Sequence, residues 1–287
     1  MDTPEARALR HVAARSSGDP LPAGIDVTLN LHPDRELDGV PILESLARDG
    51  VYRSQFSTGT GNGGLTAHPG GDRWAWESRI FGGAYDDAPA ERRPVYGALN
   101  HLRSPYGGAP RFGSAHFRLA PEALNRATFC YPDSVFEPEH FGTADAMALI
   151  ALVEADGPDL LDAYVEAQLH GAVRVLDHLD ALVLDPCYRG TAVETAARAL
   201  PCRLEWHPGH RLTVDELARH DDYRGPHITA LGAKIARDGS SDGSPEGPTG
   251  GVLDPAVIGA AVRSGQYDPQ ELKKVWHCLA RFGRPVD

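Results

Sequence analysis

Lysine is nearly missing from this chain of 287 residues. Lys234, Lys273 and Lys274 are the only three, so almost all positive charge is arginine. Arginine is the side chain that forks onto carboxylates and phosphates, whereas lysine acts as a point charge. Positive charge is also outnumbered, with a formal net charge of −12. Such a surface repels a polyanion on average, which excludes general nucleic-acid binding. No run of about 20 apolar residues occurs, so no membrane span is expected. The N-terminal stretch "MDTPEARALRHVAARSSGDPLPAG" carries no apolar segment of signal length. Cysteine is sparse, and Cys130, Cys187, Cys202 and Cys278 form no CxxC pair. A structural zinc is therefore not expected, and scattered reduced thiols fit a cytoplasmic protein.

Glycine and proline are plentiful, at 31 and 23 residues. They predict many turns and short elements and exclude a plain helix bundle. "IDVTLNLHPD" alternates apolar and polar residues, which predicts a half-buried strand ending at His32 and Pro33. A helix is expected over Pro41 to Arg48, stopped by Asp49-Gly50, with "VYRSQF" as the next strand. Residues 57–86 are read as ordered Gly-rich loops with short strands, too rich in glycine for a helix. "RFGSAHFRL" and "RATFCYPDS" read as strands, and "TADAMALIALVEA" as the clearest helix.

"AYVEAQLHGAV", residues 163–173, has two readings. A helix would bring Glu166 and His170 together across one turn. A strand puts Tyr164, Glu166, Gln168 and His170 on one face. Gly171 leaves little room for a helix after Pro158, and the alternation matches "VTLNLH", so a strand is expected. The two strands, paired, would form one wall of a cleft. Taken together, the chain reads as an α+β fold with a split, twisted, mainly antiparallel β core and flanking helices. Its expected parts are an N-terminal extension (1–23), a catalytic-type domain (24–235), a flexible linker or loop (236–251) and a helical C-terminal appendage (252–287).

The order His32 on an early strand, Tyr52 on a second and Glu166 on a late one resembles the ADP-ribosyltransferase superfamily. The chain is also similar to an uncharacterised bacterial family, a domain of unknown function, through "VYRSQFSTGTGNGG", "WESRIFGGAYD", "RATFCYPDS", "EAQLHG" and "LKKVWHCLARFG". The superfamily resemblance implies NAD as substrate and cleavage of its nicotinamide–ribose bond. ADP-ribose then passes to an acceptor that is left open: protein, nucleic acid, small molecule or water. It further implies that His32 binds the adenosine-side ribose, that Tyr52 packs on nicotinamide, and that Glu166 accepts the 2′-hydroxyl of the nicotinamide ribose. Arg53 and the loop beginning Ser57, Thr58, Gly59 would meet the pyrophosphate. Gln168 and Arg79 are further candidates for the same cleft.

Two readings from other classes stand beside it. "WHPGH" and "RHDDY" offer His207, His210, His220, Asp221 and Asp222, which could supply a mixed His/Asp site for a metal-dependent hydrolase. The C-terminal "LKKVWHCLARF" is amphipathic, with Leu272, Val275, Leu279 and Phe282 on one face, as in a non-enzymatic docking helix.

Overall fold

Alternation along several short segments builds one large sheet. The computed structural model of the protein describes residues 2–60, 66–239 and 251–286. Eight strands hydrogen-bond in the order Arg203–Trp206, Leu179–Leu184, Ala115–Leu119, Val27–Leu31, Val95–Leu99, Val165–Leu169, Ala127–Tyr131 and His140–Thr143. The pairings are antiparallel except that of Leu179–Leu184 with Arg203–Trp206. The protein is thus an α+β fold around a mainly antiparallel sheet.

One face of this sheet is apolar. Leu29, Phe117, Phe129, Val165, Ala167 and Leu169 lie there, all fully buried. The helices Ile42–Asp49, Leu149–Asp156 and Ala192–Arg198 cover it. The other face carries Thr28, Tyr96, His116, Thr128, Glu166 and Gln168, and all but Tyr96 are buried too. That polar face is what positions the site.

The strand reading of 163–173 matches the structure over Val165–Leu169. The expected direct pairing of "VTLNLH" with "YVEAQLH" does not occur, because Val95–Leu99 lies between them. This central strand was not assigned from the sequence; Pro94 precedes it and Gly97 interrupts it, and both residues weaken a strand signal. Gly97 is required by close packing rather than by a turn: a Cβ there would sit 2.6 Å from the Thr28 carbonyl oxygen.

A second correction concerns residues 57–86. Asp72–Phe81 is a helix, and the glycines only bracket it. Gly71 is its N-cap, and Gly82, at φ 59°, is its left-handed C-cap. "TADAMALIALVEA" is helical only from Leu149. Residues ahead of it are drawn into pairing, since Met147 N–H and Ala148 N–H donate to the Asp19 and Ser17 carbonyls. Tertiary hydrogen bonds override helix propensity there.

The C-terminal segment packs on its own chain. Pro226–Gly239, Pro255–Arg263 and Pro269–Phe282 surround a second core holding Leu272, Val275, Trp276 and Leu279. The expected linker begins within the first of these helices, and its residues 240–250 lie outside the described residues. Each of the last two helices opens with Asp then Pro, and the Asp side chain caps the first turn. Trp276 ties the two cores together. It is 1% exposed, and its Nε1–H donates to the Pro110 carbonyl at 3.0 Å. Among the described residues no helix is long and apolar enough to cross a membrane. Trp276→Ala is expected to destabilise the fold by about 3–5 kcal/mol, read as a lowered urea midpoint; an unmoved midpoint would mean that the C-terminal helices do not fold with the sheet.

Candidate active-site cleft

A cavity of about 620 Å³ is lined by Glu166, Tyr96 and Asn30 of the sheet, Arg73 of the 72–81 helix, and Lys273 and Trp276 of the last helix. Its size suits a drug-sized or dinucleotide ligand. Glu166 is only 7% exposed. Its position follows from strand register, since it stands opposite Ala98 on one side and Cys130 on the other.

Hydrogen bonds fix that carboxylate. Ser134 Oγ donates to Oε2 at 3.0 Å, and Gln168 Nε2 donates to Oε1 at 3.0 Å. Gln168 is itself held by Thr128 Oγ1, which donates to its Oε1 at 2.8 Å. Thr128 also bonds His170 Nε2 at 2.9 Å, and Tyr85 OH meets His170 Nδ1 at 2.8 Å. A buried chain of partners therefore runs from Glu166 to Tyr85. Arg73 continues it on the other side, donating to Ser134 Oγ at 3.2 Å and lying 4.3 Å over the Tyr96 ring. Burial opposes the Arg73 charge, but Tyr96, Glu166 and Glu77 outweigh it and hold its pKa above the ordinary value.

Two more carboxyls stand nearby. Asp133 also lines the cavity, accepts from Tyr164 OH, and is pushed up to about 6 by burial and then by Glu166. Glu77 is fully buried behind Tyr96 and paired with Arg93 at 2.8 Å. Burial drives Glu77 up to about 7 against the pull of Tyr96 and Arg93. Cys130 is no nucleophile, because burial and then Glu166 raise its thiol well above the ordinary range.

The residues singled out in the sequence are distributed as follows. His32, Tyr52, Arg53, Thr58 and Glu166 all line the cavity. His32 sits edge-on to Trp276 at 5.0 Å, and burial lowers its pKa to about 3, so its ring is neutral. Tyr52 packs edge-on to Phe117 at 6.0 Å, and burial lifts its hydroxyl to about 12. Phe117 belongs to the apolar face, so Tyr52 and Glu166 reach the cavity from opposite faces of the sheet. Arg53 is ion-paired to Asp49. Ser57 faces the Ser54 hydroxyl at 3.4 Å, and Gly59 is the left-handed cap of the short Gln55–Thr58 helix. The rest of that glycine loop, 61–65, lies outside the described residues. Gln168 lies beneath Glu166 and is fully buried. Arg79 stands apart, on an exposed ion pair with Glu137 at 3.0 Å. Arg73, Ser134 and Lys273 were missed. Two of them sit on segments whose role depends on tertiary packing, and Ser134 closes the expected "RATFCYPDS" strand, which in the structure ends at Tyr131 and leaves Ser134 in the turn after it.

A family model described as a protein of unknown function, DUF3626, matches residues 26–155 and 147–282. The chain belongs to this family. No curated protein matches it. The DUF3626 match spans both the sheet and the C-terminal helices, so Glu166, His32 and Lys273 all fall inside it.

The donor set of the metal reading is divided. His220 stacks on Phe282 at 3.7 Å, away from the other two histidines. His207 and His210 instead join Asp185, and all three are buried. His207 Nδ1 accepts from Gly209 N–H at 3.0 Å, so its proton is on Nε2, which donates to the Ser114 carbonyl at 2.8 Å. That ring has no lone pair left for a metal. Asp185 accepts from the His210 and Cys187 backbone N–H groups at 2.8 and 2.9 Å and from His210 Nδ1 at 3.2 Å. The cluster is complete as a hydrogen-bonded brace. A chelator is expected to leave the thermal midpoint unmoved, while Asp185→Ala lowers stability by about 2–5 kcal/mol through unpaired buried donors; a midpoint that falls with chelator would reverse this assignment. The apolar face of the last helix is likewise occupied, since Leu272, Val275 and Leu279 are at most 2% exposed.

Acid sensitivity follows from the buried rings. His116, His170 and His277 are each at most 5% exposed and are lowered to about 3, chiefly by burial. Their folded pKa lies below the unfolded value near 6.5, so the unfolded chain binds more protons. Stability is therefore full above about pH 6.5 and is lost as pH falls toward 3. Each ring contributes up to about 1.4 kcal/mol per pH unit. Thermal midpoints measured from pH 7 to pH 4 should fall steadily, and a flat profile would place these rings in solvent.

Proposed function

We propose that the cleft binds NAD and cleaves its nicotinamide–ribose bond, passing ADP-ribose to an acceptor or to water, on an ADP-ribosyltransferase-like fold. One observation carries the reading. A carboxylate locked by Ser134 and Gln168 shares a single cavity with His32, Tyr52, Arg53 and Thr58, which lie more than a hundred residues before it in the chain.

The chemistry follows from charge. As the C–N bond breaks, its electron pair leaves with nicotinamide, which departs neutral. Positive charge builds on the ribose, an oxocarbenium-like centre. Glu166 holds the 2′-hydroxyl beside that centre, and its charge stabilises the transition state more than the ground state. Preorganisation matters here, because a carboxylate already fixed by two donors need not reorganise during the reaction. Neutral His32 can offer a ribose hydroxyl either a donor or an acceptor. Gln168 acts through Glu166 and is a positioning residue.

Glu166→Gln should lower the rate of nicotinamide release from NAD by about 10²–10³ while the thermal midpoint stays near that of the wild type. Full nicotinamide release by this variant would remove Glu166 from the mechanism.

A further inference from the structure

Of the large apolar side chains on the cavity wall, Phe112 and Val135 are the two that stay exposed among the described residues, at 44% and 47%. Other rings of the wall are already engaged. His32 and Trp276 meet edge-on, Tyr52 packs on Phe117, and Trp76 and Tyr96 both face the Arg73 guanidinium.

One set of contacts brings Phe112 and Val135 together. The Tyr164 ring meets Phe112 edge-on, with centroids 5.4 Å apart. The Tyr164 hydroxyl donates to Asp133 Oδ2, and Asp133 Oδ1 accepts from the Val135 N–H at 3.1 Å. Ser134, between Asp133 and Val135, is the residue whose Oγ holds Glu166 at 3.0 Å. Tyr164 also lines the cavity and precedes Glu166 by two positions. Phe112, Val135 and the Glu166 carboxylate therefore border one corner of the cavity. The turn that carries Phe112, Pro110–Phe112, is fixed in its own right, because Trp276 Nε1–H donates to the Pro110 carbonyl at 3.0 Å.

A single exposed apolar side chain on an outer surface needs no explanation. Here two of them stand in a cavity, backed by a buried tyrosine and beside a fixed carboxylate. Such a wall is formed before any ligand arrives, so little ordering cost falls on binding. An aliphatic group would gain only from burial there. A flat ring gains also from offset or edge-on contact with the Phe112 ring. We propose that Phe112 and Val135, backed by Tyr164, form a subsite that takes a flat aromatic ring of the ligand, next to the group that Glu166 holds. Two rings answer to this description in the reaction above: the nicotinamide that leaves, and an aromatic ring on the acceptor. Assigning either ring to the subsite rests on the NAD reading, whereas uptake of a flat ring does not. The sequence pattern gave ring packing to Tyr52, which reaches the cavity from the opposite face of the sheet.

The test uses the full chain. Benzamide, a bare aromatic amide, and cyclohexanecarboxamide, its saturated counterpart, are titrated by ligand-observed NMR. The wild type should bind benzamide several-fold more tightly than the saturated amide. Phe112→Ala should weaken benzamide binding about tenfold, Val135→Ala should weaken it less, and Phe112→Tyr should keep most of the affinity. Both side chains are exposed, so thermal midpoints should stay near that of the wild type, and a lowered midpoint identifies a misfolded variant. Benzamide affinity unmoved in Phe112→Ala, equal affinity for the saturated amide, or no uptake by the wild type overturns the subsite. Repeating the benzamide titration with nicotinamide mononucleotide present separates the two rings. Displacement assigns the subsite to the leaving ring, and simultaneous binding assigns it to the acceptor. The reaction is read separately. Benzamide binding that depends on Phe112 in a protein that never releases nicotinamide from NAD supports the subsite and removes the NAD reaction. Nicotinamide release that depends on Glu166, with benzamide affinity unmoved in Phe112→Ala, removes the subsite alone.

Discussion

A carboxylate and an amide on a sheet face buried from solvent constrain everything around them. Glu166 and Gln168 cannot be solvated by bulk water, so each of their polar atoms needs a partner within the protein. Thr128, Cys130 and Ser134 supply those partners from the neighbouring strand and the turn after it, and His170 and Tyr85 extend the chain behind Thr128. The polar ladder then fixes strand register, because a slip of one residue would bury the apolar set against these donors. It also leaves the carboxylate facing a cavity instead of filling it. The same satisfaction that makes the sheet stable makes the site rigid.

The C-terminal helices close that cavity. Their own core is apolar, and Trp276, which belongs to it, also reaches Pro110 and His32, while Lys273 lines the cleft. The last helix therefore has two faces with two tasks, one burying Leu272, Val275 and Leu279 and one forming a wall. A wall contributed by a distant part of the chain ties the completeness of the cavity to the docking of that part. The brace of Asp185 with His207 and His210 serves the same end, since His210 also packs against Trp276, with ring centroids 5.3 Å apart.

Local readings succeeded where one signal dominated. The alternation of "VTLNL" and "VEAQL" was legible because period two is set by the backbone itself. The helix at Ile42–Asp49 and the two Asp-Pro helices near the end carry their caps in sequence. Readings failed where neighbours decide. Val95–Leu99 contains a glycine that looks like a breaker and is instead a site of close strand approach. Asp72–Phe81 was hidden by the glycines that flank it. The pair Arg53 and Arg79 looked like ligand contacts, but nearby carboxylates claim both.

By itself the sequence determined the mixed α+β class and the strand that carries Glu166 on its polar face, because these follow from short-range periodicity, whereas His32 falls just beyond the strand Val27–Leu31 on which it was expected. Only the tertiary structure decided which strands neighbour one another, that Tyr52 enters from the opposite face, and that Lys273 and Trp276 complete the cavity. Those outcomes depend on contacts between residues far apart in sequence, and such contacts are selected by burial and hydrogen-bond satisfaction across the fold rather than by any local pattern.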